Sequence, residues 1–142
     1  KGWVVPTEYT RCLGLTLSMK QRVNNRTIDN IISSQNFRHF MNLLNRKVHN
    51  KRFIRFGVRI NVYPVLEVSQ GNRYHYHCVI QRPMNVRSEW FKEQIFKCWD
   101  QTDWGYDEVH IHEQIDSGWW DYISKQKSVR DEFDWVNYHW KH

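Results

Sequence analysis

The chain has 142 residues, 21 Lys and Arg against 15 Asp and Glu for a net charge of +6, and 15% aromatic residues. That is the size of one domain, residues 1–142, with room for a core that folds without disulfide or metal staples. The 40% hydrophobic content with only six Gly and three Pro excludes a disordered chain. No apolar run approaches the ~20 residues of a membrane helix, and Cys12, Cys78 and Cys98 form no Cys-x-x-Cys pair, which argues against a disulfide framework or zinc module and fits a reducing compartment.

Residues 1–10 read as an irregular lead-in. From Cys12 to Ser18, Leu13, Leu15 and Leu17 alternate with Gly14, Thr16 and Ser18, the pattern of a half-buried strand. Residues 19–32 are polar and read as a loop. Ser33 and Ser34 are N-cap residues for a helix over 34–49, with Phe37, Phe40, Met41, Leu44 and Val48 at helical spacing. Arg55 to Ser69 reads as a long strand bent near Pro64. Ser69-Gln70-Gly71-Asn72 is turn chemistry, and Arg73 to Gln81 is the returning strand, stopped by Pro83.

Ser88 caps a second helix with Trp90, Phe91, Ile95, Phe96 and Trp99 on its apolar side. A turn follows at Asp103 to Tyr106, then a strand at Glu108 to Ile115. Asp116 or Ser117 caps a last helix carrying Trp119, Trp120, Tyr122 and Ile123. Residues 128–142 read as a short helix or tail. The order is an α+β pattern: an antiparallel β-sheet with a central hairpin and helices packed mainly on one face.

The hairpin carries the most information. Val62, Pro64, Leu66 and Val68 share one face of its first strand, and Tyr74, Tyr76, Cys78 and Ile80 share one face of its second. Cross-strand partners lie on the same face, so these apolar sets pair and leave Glu67 beside His75 and His77. That requires an odd loop. A loop of Gln70-Gly71-Asn72 sets Glu67 opposite His75, whereas a two-residue Gly71-Asn72 loop sets it opposite Tyr76 on the wrong face. Two imidazoles and a carboxylate then form a three-ligand site for a divalent ion. The mixed nitrogen and oxygen set suits Mn²⁺ or Mg²⁺, with Zn²⁺ an alternative.

His75-Tyr76-His77 resembles the His-hydrophobic-His motif of the HUH endonucleases, which include Rep-type rolling-circle initiators, relaxases and related transposases. Glu67 stands where that family often places a metal-binding acid. Leu13-Gly14-Leu15-Thr16-Leu17-Ser18 is similar to its first motif, and Tyr122-Ile123-Ser124-Lys125 resembles the Tyr-x-x-Lys motif of single-tyrosine Rep proteins. The resemblance spans about residues 11–127. It implies a ferredoxin-like or RRM-like HUH fold, Tyr122 as nucleophile with Lys125 beside it, and metal on Glu67, His75 and His77. It further implies nicking and joining of single-stranded or hairpin DNA at an origin. A chain opening on Lys rather than Met also fits a piece of a longer protein, for which a helicase domain or host helicase is the expected associate.

Two other motifs compete. Tyr138-His139-Trp140-Lys141 is also Tyr-x-x-Lys but lies at the C-terminus, where chains tend to fray. His110-Ile111-His112 is a second His-apolar-His, without an acid on a hairpin partner. It reads as the polar face of the last strand.

Residues 1–61 carry twelve basic side chains against Glu8 and Asp29, a net of +10, and the remainder carries −4. Arg46, Lys47, Lys51, Arg52, Arg55 and Arg59 have no acid between them. Such a run neutralises phosphates with little dependence on sequence, so these six are the expected DNA contacts. Three other functions fit parts of the pattern: a transposase of the same chemistry, a non-catalytic single-strand binding module, and a metal-dependent hydrolase with no covalent step.

Overall fold

A computed structural model describes residues 10–113, 115 and 132–141. The elements in chain order are β1 (Cys12–Met19), β2 (Arg22–Val23), β3 (Arg26–Thr27), α1 (Asn30–His49), α2 (Lys51–Phe56), β4 (Val62–Ser69), β5 (Arg73–Gln81), α3 (Ser88–Asp100), β6 (Gly105–His112) and β7 (Glu132–Phe133). The fold is α+β. Among the described residues the main sheet has five strands in the order β6-β1-β5-β4-β7, all pairings antiparallel.

One sheet face and the helices share the main core. Leu13, Leu15 and Leu17 from β1, Leu66 from β4 and Tyr76, Cys78 and Ile80 from β5 pack with Phe37, Phe40 and Leu44 of α1 and Phe91, Ile95 and Trp99 of α3. Phe40 meets Trp99 edge-on at 5.3 Å, and Phe37 stacks on Tyr76 at 4.5 Å. Most of these side chains lose nearly all their water contact, each contributing roughly 1.5–3 kcal/mol. The opposite face holds a smaller cluster of Cys12, Val65, Val79 and Ile115, with Tyr63, Phe133 and Trp140 against it. Cys12, Cys78 and Cys98 are buried free thiols. Burial pushes the Cys12 thiol up to about 12, so it stays protonated.

Several boundaries differ from the sequence expectation. Helix α1 starts at Asn30, earlier than residue 34, because Asp29 is the cap: its Oδ1 accepts from the Ile32 N–H at 2.7 Å. Ser33 is buried in the first turn and donates to the Asp29 carbonyl. The expected loop at 19–32 contains the β2–β3 hairpin, whose central Asn24 and Asn25 both adopt positive φ, 49° and 67°. Asparagine tolerates that geometry, which matches the right-handed twist of the flanking strands.

The strand expected from Arg55 begins only at Val62. Asn50, at φ 50°, breaks the chain away from α1, Lys51–Phe56 forms α2, and Gly57 closes that helix at φ 67° with its N–H on the Phe53 carbonyl. Helix α2 buries none of its residues, so no apolar stripe announces it. On α3, Trp90 and Phe96 are exposed, not core. The strand expected at 108–115 is β6, which occupies 105–112, and β7 follows it in the chain as a further strand of the sheet. The helix expected after Asp116 lies outside the described residues.

Of the stretch expected as a helix or tail, residues 132–141 are described, and they form neither a helix nor a loose tail. β7 pairs with β4, and His139 exchanges backbone hydrogen bonds with Val62 at 2.7 and 3.2 Å. Asp134 fastens this strap to the core. Its buried carboxylate accepts from the Tyr76 hydroxyl and the Asn137 amide, both at 2.7 Å, and from the Ser34 hydroxyl at 3.2 Å. Fraying therefore gives no ground for setting Tyr138 aside.

Candidate metal centre

The hairpin register agrees with the one deduced from side-chain alternation. Ser69 pairs with Arg73 across Gln70-Gly71-Asn72, and Glu67 pairs with His75. Gly71 and Asn72 take φ of 77° and 59°, the left-handed conformations that a three-residue loop needs. The apolar partners fall together as expected: Leu66 with Tyr76, Pro64 with Cys78 and Val62 with Ile80.

This register brings three ligand atoms to one point. Glu67 Oε1 lies 2.5 Å from His75 Nε2 and 2.6 Å from His77 Nε2. Glu67, His75 and His77 form a group able to hold a metal ion. All three side chains are largely shielded, at 16–23% exposure, yet none is sealed from solvent. A carboxylate and two imidazoles, all able to present lone pairs to one centre, fit a divalent cation by donor chemistry.

Thr16 adds a support that the sequence reading did not single out. Strand β1 sets it opposite His77, and its Oγ1 lies 3.3 Å from His77 Nδ1. A partner on the remote ring nitrogen fixes tautomer and ring plane, leaving Nε2 for the metal side. The signal was present in the alternation of β1 but became specific only once β1 was paired with β5. His77 has its pKa lowered, first by burial and then by the neighbouring His75, with Glu67 opposing. The neutral, ligating form of the ring is thereby favoured.

The central residue of the His75-Tyr76-His77 motif plays a different part. Tyr76 points into the helix-side core, is fully buried, and donates to Asp134. Burial and the adjacent carboxylate push its phenol far up, so it is no nucleophile. His110 and His112 lie on the same face as His77, since Thr16 is flanked by His77 and His110, and Gly14 by Val79 and His112. Glu113 turns to the helix side and pairs with Lys92 at 2.7 Å.

The six expected DNA contacts gather at one corner. Arg46 and Lys47 lie in the last turn of α1, Lys51, Arg52 and Arg55 on α2, and Arg59 on the connection to β4. All six are exposed, and no carboxylate among the described residues pairs with them. Glu67 stands five residues along β4 from Val62, about 17 Å of strand. The basic corner and the metal group therefore occupy opposite ends of β4. Tyr122 and Lys125 lie outside the described residues. Tyr138 packs edge-on against Tyr63 at 5.7 Å, and Tyr63 is four residues, about 13 Å, from Glu67 along β4.

A family model described as replication-associated protein ORF2/G2P matches residues 10–131, most of the chain. The chain belongs to that family. The match takes in Glu67, His75, His77, Tyr122 and Lys125 and stops before Tyr138. Membership gives this replication-associated protein a role in replication. No match was found among curated proteins or among solved structures.

Proposed function

We propose that this replication-associated protein is an HUH-type nickase and strand transferase, acting on single-stranded or hairpin DNA at an origin to initiate rolling-circle replication as a single domain. The observation that carries the reading is the Glu67–His75–His77 group, built by the hairpin of a chain whose family is replication-associated. A divalent ion bound there, Mn²⁺ or Mg²⁺, would supply Lewis-acid polarisation of a phosphate oxygen.

Tyr122 is the proposed nucleophile. Its oxygen forms a bond to phosphorus, the bond to the 3′ oxygen breaks, and the phenolic proton ends on the freed 3′-hydroxyl. The product is a 5′-phosphotyrosine that conserves the phosphodiester for rejoining. A free phenol has a pKa near ~10, so a cation close by must favour its ionised form. Lys125, three residues on, has the spacing of a neighbour on one helix face and is the proposed cation. Ile115, just before the stretch containing Tyr122, and Phe133, just after it, both belong to the apolar cluster on the metal-bearing face. Arg46, Lys47, Lys51, Arg52, Arg55 and Arg59 would hold the strand away from the reacting phosphate.

The test is incubation with a labelled single-stranded origin oligonucleotide and Mn²⁺. A denaturation-resistant protein–DNA adduct should form, vanish with EDTA and in Tyr122→Phe, and persist in Tyr138→Phe. Cleavage that survives Tyr122→Phe with no adduct would point to a hydrolase instead. DNA binding indifferent to EDTA, with no cleavage, would reduce the protein to a binding module.

A further inference from the structure

A cavity of about 360 Å³ opens at the end of the sheet remote from the metal group. His49, Phe56, Arg59, Pro83, His139 and Lys141 are among the residues that line it. Four of these six are cationic or can become so, and none is an acid. The wall comes from four parts of the chain. His49 ends α1, Phe56 ends α2 with Arg59 just beyond it, Pro83 follows β5, and His139 and Lys141 belong to the C-terminal strap.

The strap is fixed where it crosses the cavity. Asn61 receives the Lys141 N–H on its Oδ1 at 2.8 Å and returns a hydrogen bond from Nδ2 to the Lys141 carbonyl at 3.0 Å. His139 is held by its two backbone bonds to Val62. The side chains of His139 and Lys141 are thus presented from an anchored backbone.

Like charges crowd together at the cavity: Arg59, His139 and Lys141 all line it, no acid does, and His139 is disfavoured as a cation by burial and by Arg59 and Lys141. An anion would relieve that repulsion. The ring of Phe56, 77% exposed at the rim, gives the cavity an aromatic wall as well.

We propose that this cavity is a nucleotide subsite, taking one phosphate of a DNA strand among Arg59, His139 and Lys141 with the attached base against Phe56. Stacking on an exposed ring accepts any base and suits a single strand. Gln81, at the cavity, lies six residues along β5 from His75, about 20 Å. At that separation the subsite would hold DNA flanking the reacting phosphate and not that phosphate itself. The inference rests on DNA being the substrate.

The probe is thymidine 3′,5′-bisphosphate, titrated in EDTA and followed by backbone amide NMR shifts, with inorganic phosphate as a parallel arm. The expected result is saturable shifts at His49, Phe56, His139 and Lys141 and none on the 67–77 hairpin. Phe56→Ala should weaken the nucleotide about tenfold and leave inorganic phosphate unchanged. Lys141→Ala should weaken both. Shifts confined to the hairpin, equal affinity for nucleotide and inorganic phosphate, or no effect of Phe56→Ala would each overturn the proposal. The measurement needs neither metal nor cleavage, so failure to form the Tyr122 adduct leaves its outcome standing. Conversely, a normal adduct with no nucleotide shifts sinks the subsite alone.

Discussion

Adding Mn²⁺ should raise the melting temperature of the wild-type protein, and Glu67→Ala should nearly abolish that rise. All three donors lie on two adjacent strands of one hairpin, with Glu67 Oε1 at 2.5 and 2.6 Å from the two imidazole nitrogens. A ligand that binds only this folded arrangement stabilises it by about 2.7 kcal/mol at a hundredfold excess over Kd. For a chain of this length that is a shift of about 10 °C. Removing Glu67 removes one of the three donors and the one anionic donor. Even second-layer partners of metal ligands are worth up to ~100-fold in affinity, so the loss here is at least that large. At the same metal concentration the stabilisation falls to about 0.4 kcal/mol, a shift of 1–2 °C or roughly so. The assay is differential scanning fluorimetry with and without Mn²⁺, with EDTA as the reference and Glu113→Ala as an acidic control on the other side of the sheet. Equal shifts in wild type and Glu67→Ala would show that the ion binds elsewhere and that the three side chains only hydrogen-bond to one another.

Tyr76→Phe should cost about 1.5–3 kcal/mol in urea denaturation, because the buried Asp134 carboxylate loses a 2.7 Å charge-assisted hydrogen bond; an unchanged midpoint would mean the strap is not held there. Stability should also fall as pH drops below about 6.5. His49, His77 and His139 all have pKa values lowered in the fold, so the unfolded chain binds more protons than the native one in that range. Urea midpoints at pH 7.5, 6.5 and 5.5 would check this, and a midpoint that rises toward pH 5.5 would contradict the sign.

The central hairpin was legible because two independent constraints agree on it. Alternation from Val62 to Ile80 fixes which faces must meet, and the Gly-containing loop must then have odd length. Both are local, spanning fewer residues than α1. Helix α2 was not legible for the opposite reason. It buries nothing, so no periodicity in the sequence reflects it, and its limits are set by the backbone of Asn50 and Gly57. The strap was hidden by distance in sequence. Asp134 is fastened to Ser34 and Tyr76, and Lys141 to Asn61, pairings that no pattern within residues 128–142 can specify.

The same contrast separates the two candidate sites. Glu67, His75 and His77 meet through one turn and one register, so the side-chain pattern that folds the hairpin also assembles the ligands. The cavity at the other end of the sheet exists only after α1, α2, β4 and the strap have all docked, and its basic residues look in sequence like an ordinary solvated surface. Arg59 illustrates the difference. Read alone, it is one more cation in the run from Arg46. In the fold its guanidinium lies over the Phe53 ring at 5.4 Å and faces His139 and Lys141 with no described carboxylate between them. Charge composition could therefore point to nucleic acid, but only tertiary structure could turn part of that charge into a pocket walled by cations and an aromatic ring.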